Sequence, residues 1–96
     1  MEKNQKFILR CDRAGVFYGN ITSQNGREVE MCNVRQLWYW EGAAALMQLA
    51  VDGTKRPRDC KFTVEVESIL LLDAIEIIPC TDKAVDSIDA VAVWKI

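Results

Sequence analysis

The sequence predicts a single α+β domain, a mainly antiparallel sheet carrying two short helices. Three observations lead there. A chain of 96 residues has the length of one domain, and a composition that is 50% apolar and 27% charged belongs to a globular chain rather than a disordered one. Several stretches alternate apolar and polar residues with the two-residue period of a strand, starting with Phe7, Leu9 and Cys11. Two others, Ala43 to Val51 and the run after Thr81, place apolar residues at helical spacing.

In chain order, Lys6 to Asp12 reads as a first strand, and Arg13-Ala14-Gly15 as a turn. Val16 to Ser23 is a second strand, and a third begins at Arg27. Asn25-Gly26 between them is a hairpin signal. Parity favours a three-residue loop, Gln24-Asn25-Gly26, because it sets Ile21 opposite Val29 and Gly19 opposite Met31 on one apolar face. The third strand continues through Asn33 to Trp40, with Leu37 and Tyr39 on one face and Trp38 and Trp40 on the other. Glu41-Gly42 breaks it and starts a helix through Val51, which Gly53 caps. Pro57 makes Thr54 to Asp59 a basic loop. Phe62, Val64 and Val66 form a one-sided strand, and Ile69 to Leu72 reads equally as a buried turn, a short helix or a bulged continuation. Ala74 to Ile78 is a strand. Thr81 caps a helix bearing Ala84, Val85, Ile88 and Val91, and Ala92 to Ile96 closes the chain as a short strand containing Trp94.

The net charge of −2 argues against a general nucleic-acid binder. Residues 1–59 carry nine Lys/Arg against seven Asp/Glu, and residues 60–96 carry three against seven. The four cysteines lie 21, 28 and 20 residues apart, with no Cys-x-x-Cys pair and no histidine in the chain, so neither a zinc site nor a cofactor is expected. The first residues open no signal peptide and no apolar run approaches membrane length, which points to a cytoplasmic protein with reduced cysteines.

Arg35 to Gly42, Arg-Gln-Leu-Trp-Tyr-Trp-Glu-Gly, is the stretch that points to function. Adjacent strand residues face opposite ways, so Tyr39 and the Trp38/Trp40 pair do not all enter one core; one side meets solvent, a partner or a ligand. An exposed indole stacks a nucleobase for about 1–3 kcal/mol, and amides at a helix starting at Gly42 would receive a phosphate. Arg35, Lys55 and Arg56 are the candidate phosphate-holding cations, with Arg27 as a further bidentate contact. The plainer alternatives are a core or subunit-interface aromatic cluster and a solvated basic loop. Glu41 reads as a first-turn carboxylate. Asp82, Asp86 and Asp89 share a helix face, which is better explained by solvent than by a metal. No nucleophile motif or acid–base pair stands out, so an enzyme is the minority reading.

The strings Gly15 to Ile21, Leu37 to Ala44, Leu72 to Thr81 and Val93 to Ile96 together resemble small proteins of phages and prophages of gut bacteria. More loosely, the chain is similar in size and composition to phage proteins that sequester nucleotide immune signals. That likeness implies an oligomeric, non-catalytic protein with aromatic and basic pockets. The expectation is a homo-oligomeric, non-enzymatic binder of a nucleotide-derived signal such as a cyclic ADP-ribose, with Trp38 or Trp40 on the base. The alternative is an inhibitor or accessory factor that docks a host or phage protein through its Trp face.

Overall fold

A computed structural model of the chain describes residues 5–96. The extreme N-terminus, read above for a signal peptide, lies outside the described residues. Six strands, β1 (Phe7–Cys11), β2 (Gly15–Asn25), β3 (Glu28–Tyr39), β4 (Lys61–Phe62), β5 (Val66–Leu71) and β6 (Ala74–Pro79), form one sheet with two helices, α1 (Leu46–Asp52) and α2 (Asp82–Asp89). The protein is thus α+β with an antiparallel sheet, as its patterning predicts.

The strand order is β4-β3-β2-β1-β6, and β5 also pairs with β3. The long β3 serves two neighbours: its first half pairs with β5 and its last residues with β4. This order forces curvature. If the sheet were flat, β5 and β6 would lie four strand spacings apart, about 19 Å. Yet only Leu72 and Asp73 join them, and three trans peptide links span at most about 11 Å. The sheet therefore curls until both edges reach this turn. Asp12 N–H donates to Asp73 O at 3.1 Å and Ala74 N–H to Arg27 O at 3.0 Å, tying the turn to each side.

Curling gives the sheet two differently buried faces. Ile8, Tyr18, Leu37 and Phe62 face α1 and α2, meeting Leu49, Ala50, Ala84 and Ile88. Leu9, Val29 and Met31 lie on the other face, fully buried although no helix among the described residues covers them; Phe17, Leu71 and Ala74 complete that cluster. β1 is buried on both sides, which is why Ile8 is as apolar as its neighbours.

The β2–β3 hairpin corrects one expectation. Its loop is the two residues Gly26-Arg27, closed by the pair Asn25 and Glu28, not the three-residue loop. Gly26 has φ 62° and Arg27 does not share the positive value, the pattern of a II′ turn. The extra residue that parity requires sits within β2, at Thr22, and Ile21 then pairs with Met31. A second irregularity lies at Asn33, whose φ is 51°. Opposite it, a Cβ on Gly19 would stand 2.9 Å from the carbonyl oxygens of both Asn33 and Cys32, so only glycine fits.

α1 starts later than expected. Ala43 to Ala45 lack a capping side chain, Ala45 is extended (φ −155°), and Gln48 Oε1 accepts from Ala44 N–H at 2.7 Å before the first turn. Gly53 closes α1 as predicted, donating to Leu49 O at 2.9 Å. Thr81 caps α2 by accepting from Ala84 N–H at 3.1 Å, and its hydroxyl donates to Val51 O at 2.6 Å, pinning the start of α2 to the end of α1.

The expected strand through Phe62, Val64 and Val66 is broken at Thr63 to Glu65, leaving β4 and β5 on separate parts of β3. Ile69 to Leu72 resolves as the end of β5 and its turn. The last strand reduces to a single parallel bridge between Val93 and Phe62, with Trp94 N–H donating to Phe62 O at 2.8 Å.

Candidate functional site

Arg35 has another task than the one its neighbours suggest. It is 6% exposed, on the helix-facing side of β3. Its Nε donates to Thr63 O at 2.9 Å, Nη1 to Ile88 O at 3.3 Å, and Nη2 to Phe62 O at 3.1 Å and Ala92 O at 3.4 Å. These carbonyls belong to the β4 segment, the end of α2 and the C-terminal segment, so one guanidinium gathers three stretches of chain. Burial lowers its proton affinity, and the carboxylates of Asp89 and Glu65 act the other way. Lys6, Glu65 and Asp89 line a cavity of about 320 Å³ beside it, with two cations balanced by two carboxylates. Asp89 is already engaged by Tyr18 Oη at 2.8 Å and Lys6 Nζ at 3.1 Å.

Gly42 and the basic loop are also structural. Gly42 (φ 84°) lies outside any helix, and a Cβ on it would come within 2.5 Å of Arg56 N. The loop folds back directly onto it: Lys55 N–H donates to Gly42 O at 3.2 Å, and Thr54 Oγ1 to Glu41 O at 2.5 Å. A helix of seven residues is short enough to allow this return. Arg56 pairs with Asp59 at 2.9 Å and Glu41 at 3.6 Å, and Tyr39 Oη also donates to Glu41. Arg27 pairs with Asp73 at 3.0 Å. Lys55 is exposed.

The aromatic residues are split. Trp40 lies past the end of β3, where strand parity no longer applies, and is half-buried against the helix-side core. Trp38 is 61% exposed and stacks on Trp94, itself 43% exposed, with ring centroids 6.2 Å apart and planes 17° from parallel. Lys61 Nζ lies 5.6 Å from the Trp94 ring and 5.9 Å from Tyr39.

Trp38 and Trp40 nevertheless line one cleft of about 290 Å³, together with Arg13, Gly15, Val16 and Gln36. The β1–β2 turn builds its other wall. Gly15 has φ 111°, and a Cβ there would stand 2.9 Å from Gln36 Nε2, so glycine lets the Gln36 amide lie against the turn and donate to Ala14 O at 3.2 Å. Arg13 makes no ion pair among the described residues. The cation lining this cleft is therefore Arg13, which the sequence alone places only in a turn. A signal was available: a hairpin joining β1 to β2, with β2 paired to β3, brings its turn to the end of β3 where the tryptophans lie.

Among the described residues, no group of three potential metal ligands occurs, and no helix is long and apolar enough to cross a membrane.

The chain belongs to the family described as Domain of unknown function (DUF6948), which matches residues 4–88. No curated protein and no solved structure matches it.

Proposed function

We propose that this protein is a non-catalytic binder of a nucleotide-derived small molecule, held in the cleft between the β1–β2 turn and the tryptophan end of β3. The observation that carries this reading is the shared lining of one cleft by Trp38, Trp40 and Arg13, whose guanidinium has no ion-pair partner among the described residues. A base stacks on an indole, and a phosphate takes a bidentate contact from an arginine. Arg13 replaces Arg35 and Arg56 in this role, because those two are spent on carbonyls and on Glu41 and Asp59. Lys55 remains a candidate outer contact. A cyclic ADP-ribose is the ligand to try first; sequestering such a signal would blunt a bacterial defence pathway, which suits a phage-encoded protein in a host cytoplasm.

Calorimetry with cyclic ADP-ribose, its isomers, ADP-ribose and cyclic nucleotides tests the proposal. Binding should quench indole fluorescence, and Trp38→Ala should weaken it by about fivefold or more, the effect of losing about 1–3 kcal/mol of stacking. Absence of heat from every ligand at submillimolar concentration sinks it.

A second reading is favoured by the exposed Trp38–Trp94 stack with Lys61 beside it. Trp, Tyr and cationic side chains at the centre of a patch suit a protein partner, a second copy included. Stoichiometric capture of a protein by the wild type and its loss in Trp94→Ala, with no small-molecule binding, would select this reading. Sedimentation velocity reads the oligomer directly.

A further inference from the structure

An apolar cavity lies at the mouth of the curled sheet, between the β1–β2 turn and the β5–β6 turn. Its volume is about 360 Å³, and Cys11, Arg13, Phe17, Ile69, Leu70 and Leu72 line it. An apolar cavity of about 150 Å³ already holds benzene, so this one has room for a body of about ten carbons. At its Phe17 and Ile69 wall it meets a second apolar depression of about 200 Å³ bordered by Val34, Val64 and Val66. Together they form a trench rather than a flat patch. Leu70 is 56% exposed and Leu72 66%, a costly display of two leucines beside a concavity unless something covers them.

The polar groups at the rim are unequal. Asp73 is held by Arg27 at 3.0 Å, whereas Arg13 has no ion-pair partner among the described residues. The rim therefore offers one uncompensated positive charge above an apolar floor. Cys11 in that floor stays neutral, since burial and then Asp73 push its thiol up.

We propose that this trench is a binding site for a small apolar acid, an alkyl or alkyl-aryl chain of about ten carbons whose carboxylate pairs with Arg13 while its body covers Phe17, Ile69, Leu70 and Leu72. The site is distinct from the tryptophan cleft and needs no nucleotide. Arg13, on the turn between them, serves whichever ligand is present.

The test is displacement of anilinonaphthalene sulfonate by decanoate and by its uncharged amide, on the full chain. Decanoate should compete at least tenfold better than the amide. Arg13→Gln should erase that preference, and Leu72→Asp should weaken both competitors about tenfold; both residues are exposed, so the variants keep the wild-type circular dichroism. Trp38→Ala should leave decanoate competition unchanged, which separates this site from the nucleotide cleft: either fails without the other. Equal competition by acid and amide on the wild type overturns the proposal, as does failure of decanoate to displace the dye. So does a dimer that Leu72→Asp converts to monomer, because a second copy would then cover the trench.

Discussion

The two faces of the sheet keep their apolar side chains from water by different means. One is roofed by α1 and α2, and Arg35 laces strand, helix end and chain terminus together beneath that roof. The other has no roof among the described residues and encloses Leu9, Val29 and Met31 by bending around them. A roof is sealed by side chains arriving from both layers. A bent sheet closes only where its edges meet, at Leu72 and Asp73, and both apolar cavities open beside Phe17 and Ile69 on that face. The same chain thus has a tighter, roofed side that fixes the fold and a bent side whose apolar cavities open at its edge.

The largest expected effect is on the tight side. Arg35→Met leaves buried carbonyls without donors, and at about 1–3 kcal/mol for each such group the loss should reach about 3 kcal/mol or more. A free energy of unfolding, measured in urea, that falls by less than about 1 kcal/mol would show that the four hydrogen bonds do not hold the terminus. Phe62→Ala should follow, costing about 3–5 kcal/mol as a sealed cavity forms. Phe17→Ala, beside cavities already open, should cost less, and equal losses would dissolve the distinction between the faces. Gly19→Ala should cost about 1–3 kcal/mol, since its Cβ has to push two carbonyls aside.

Alkaline pH sharpens the contrast through Cys80, in the roofed core, whose thiol burial pushes up from 9.0 to about 12. A raised folded-state value means that the neutral thiol stabilises the fold fully below pH 9.0, and that this contribution drains away as pH climbs toward about 12. Tyr18 acts in the same sense, its phenol raised by burial and then by the Asp89 hydrogen bond. Chemical denaturation at pH 8 and pH 10 should show a steeper loss for wild type than for Cys80→Ala. The smallest effect on stability belongs to Trp38→Ala, within about 0.5 kcal/mol for so exposed a side chain, measured alongside its loss of ligand.

Where sequence determines structure locally, it was readable. Thr81 as a cap, Gly53 as a terminator and the apolar face of Phe7, Leu9 and Cys11 follow from neighbours a few residues away. The hairpin's extra residue was deducible as a need but not as a place, because a bulge at Thr22 satisfies parity as well as a longer loop. Arg35 was opaque for a different reason. Its partners lie 28, 27, 53 and 57 residues away, so nothing beside it marks it as buried. Arg13 was overlooked because turn arginines are commonly solvated, and only the strand order brings it to the tryptophans.

The position of β1 also matters before the fold is complete. It pairs with β2 almost at once, but its other edge waits for β6, where Phe7 meets Pro79 and Cys11 meets Ala74. At a synthesis rate of roughly 5–20 residues per second, that edge stays without its partner for several seconds on the ribosome, carrying Phe7, Leu9 and Cys11. Bare strand edges recruit other chains. Crowded translation, rather than heating of the finished protein, is therefore where this strand order invites aggregation.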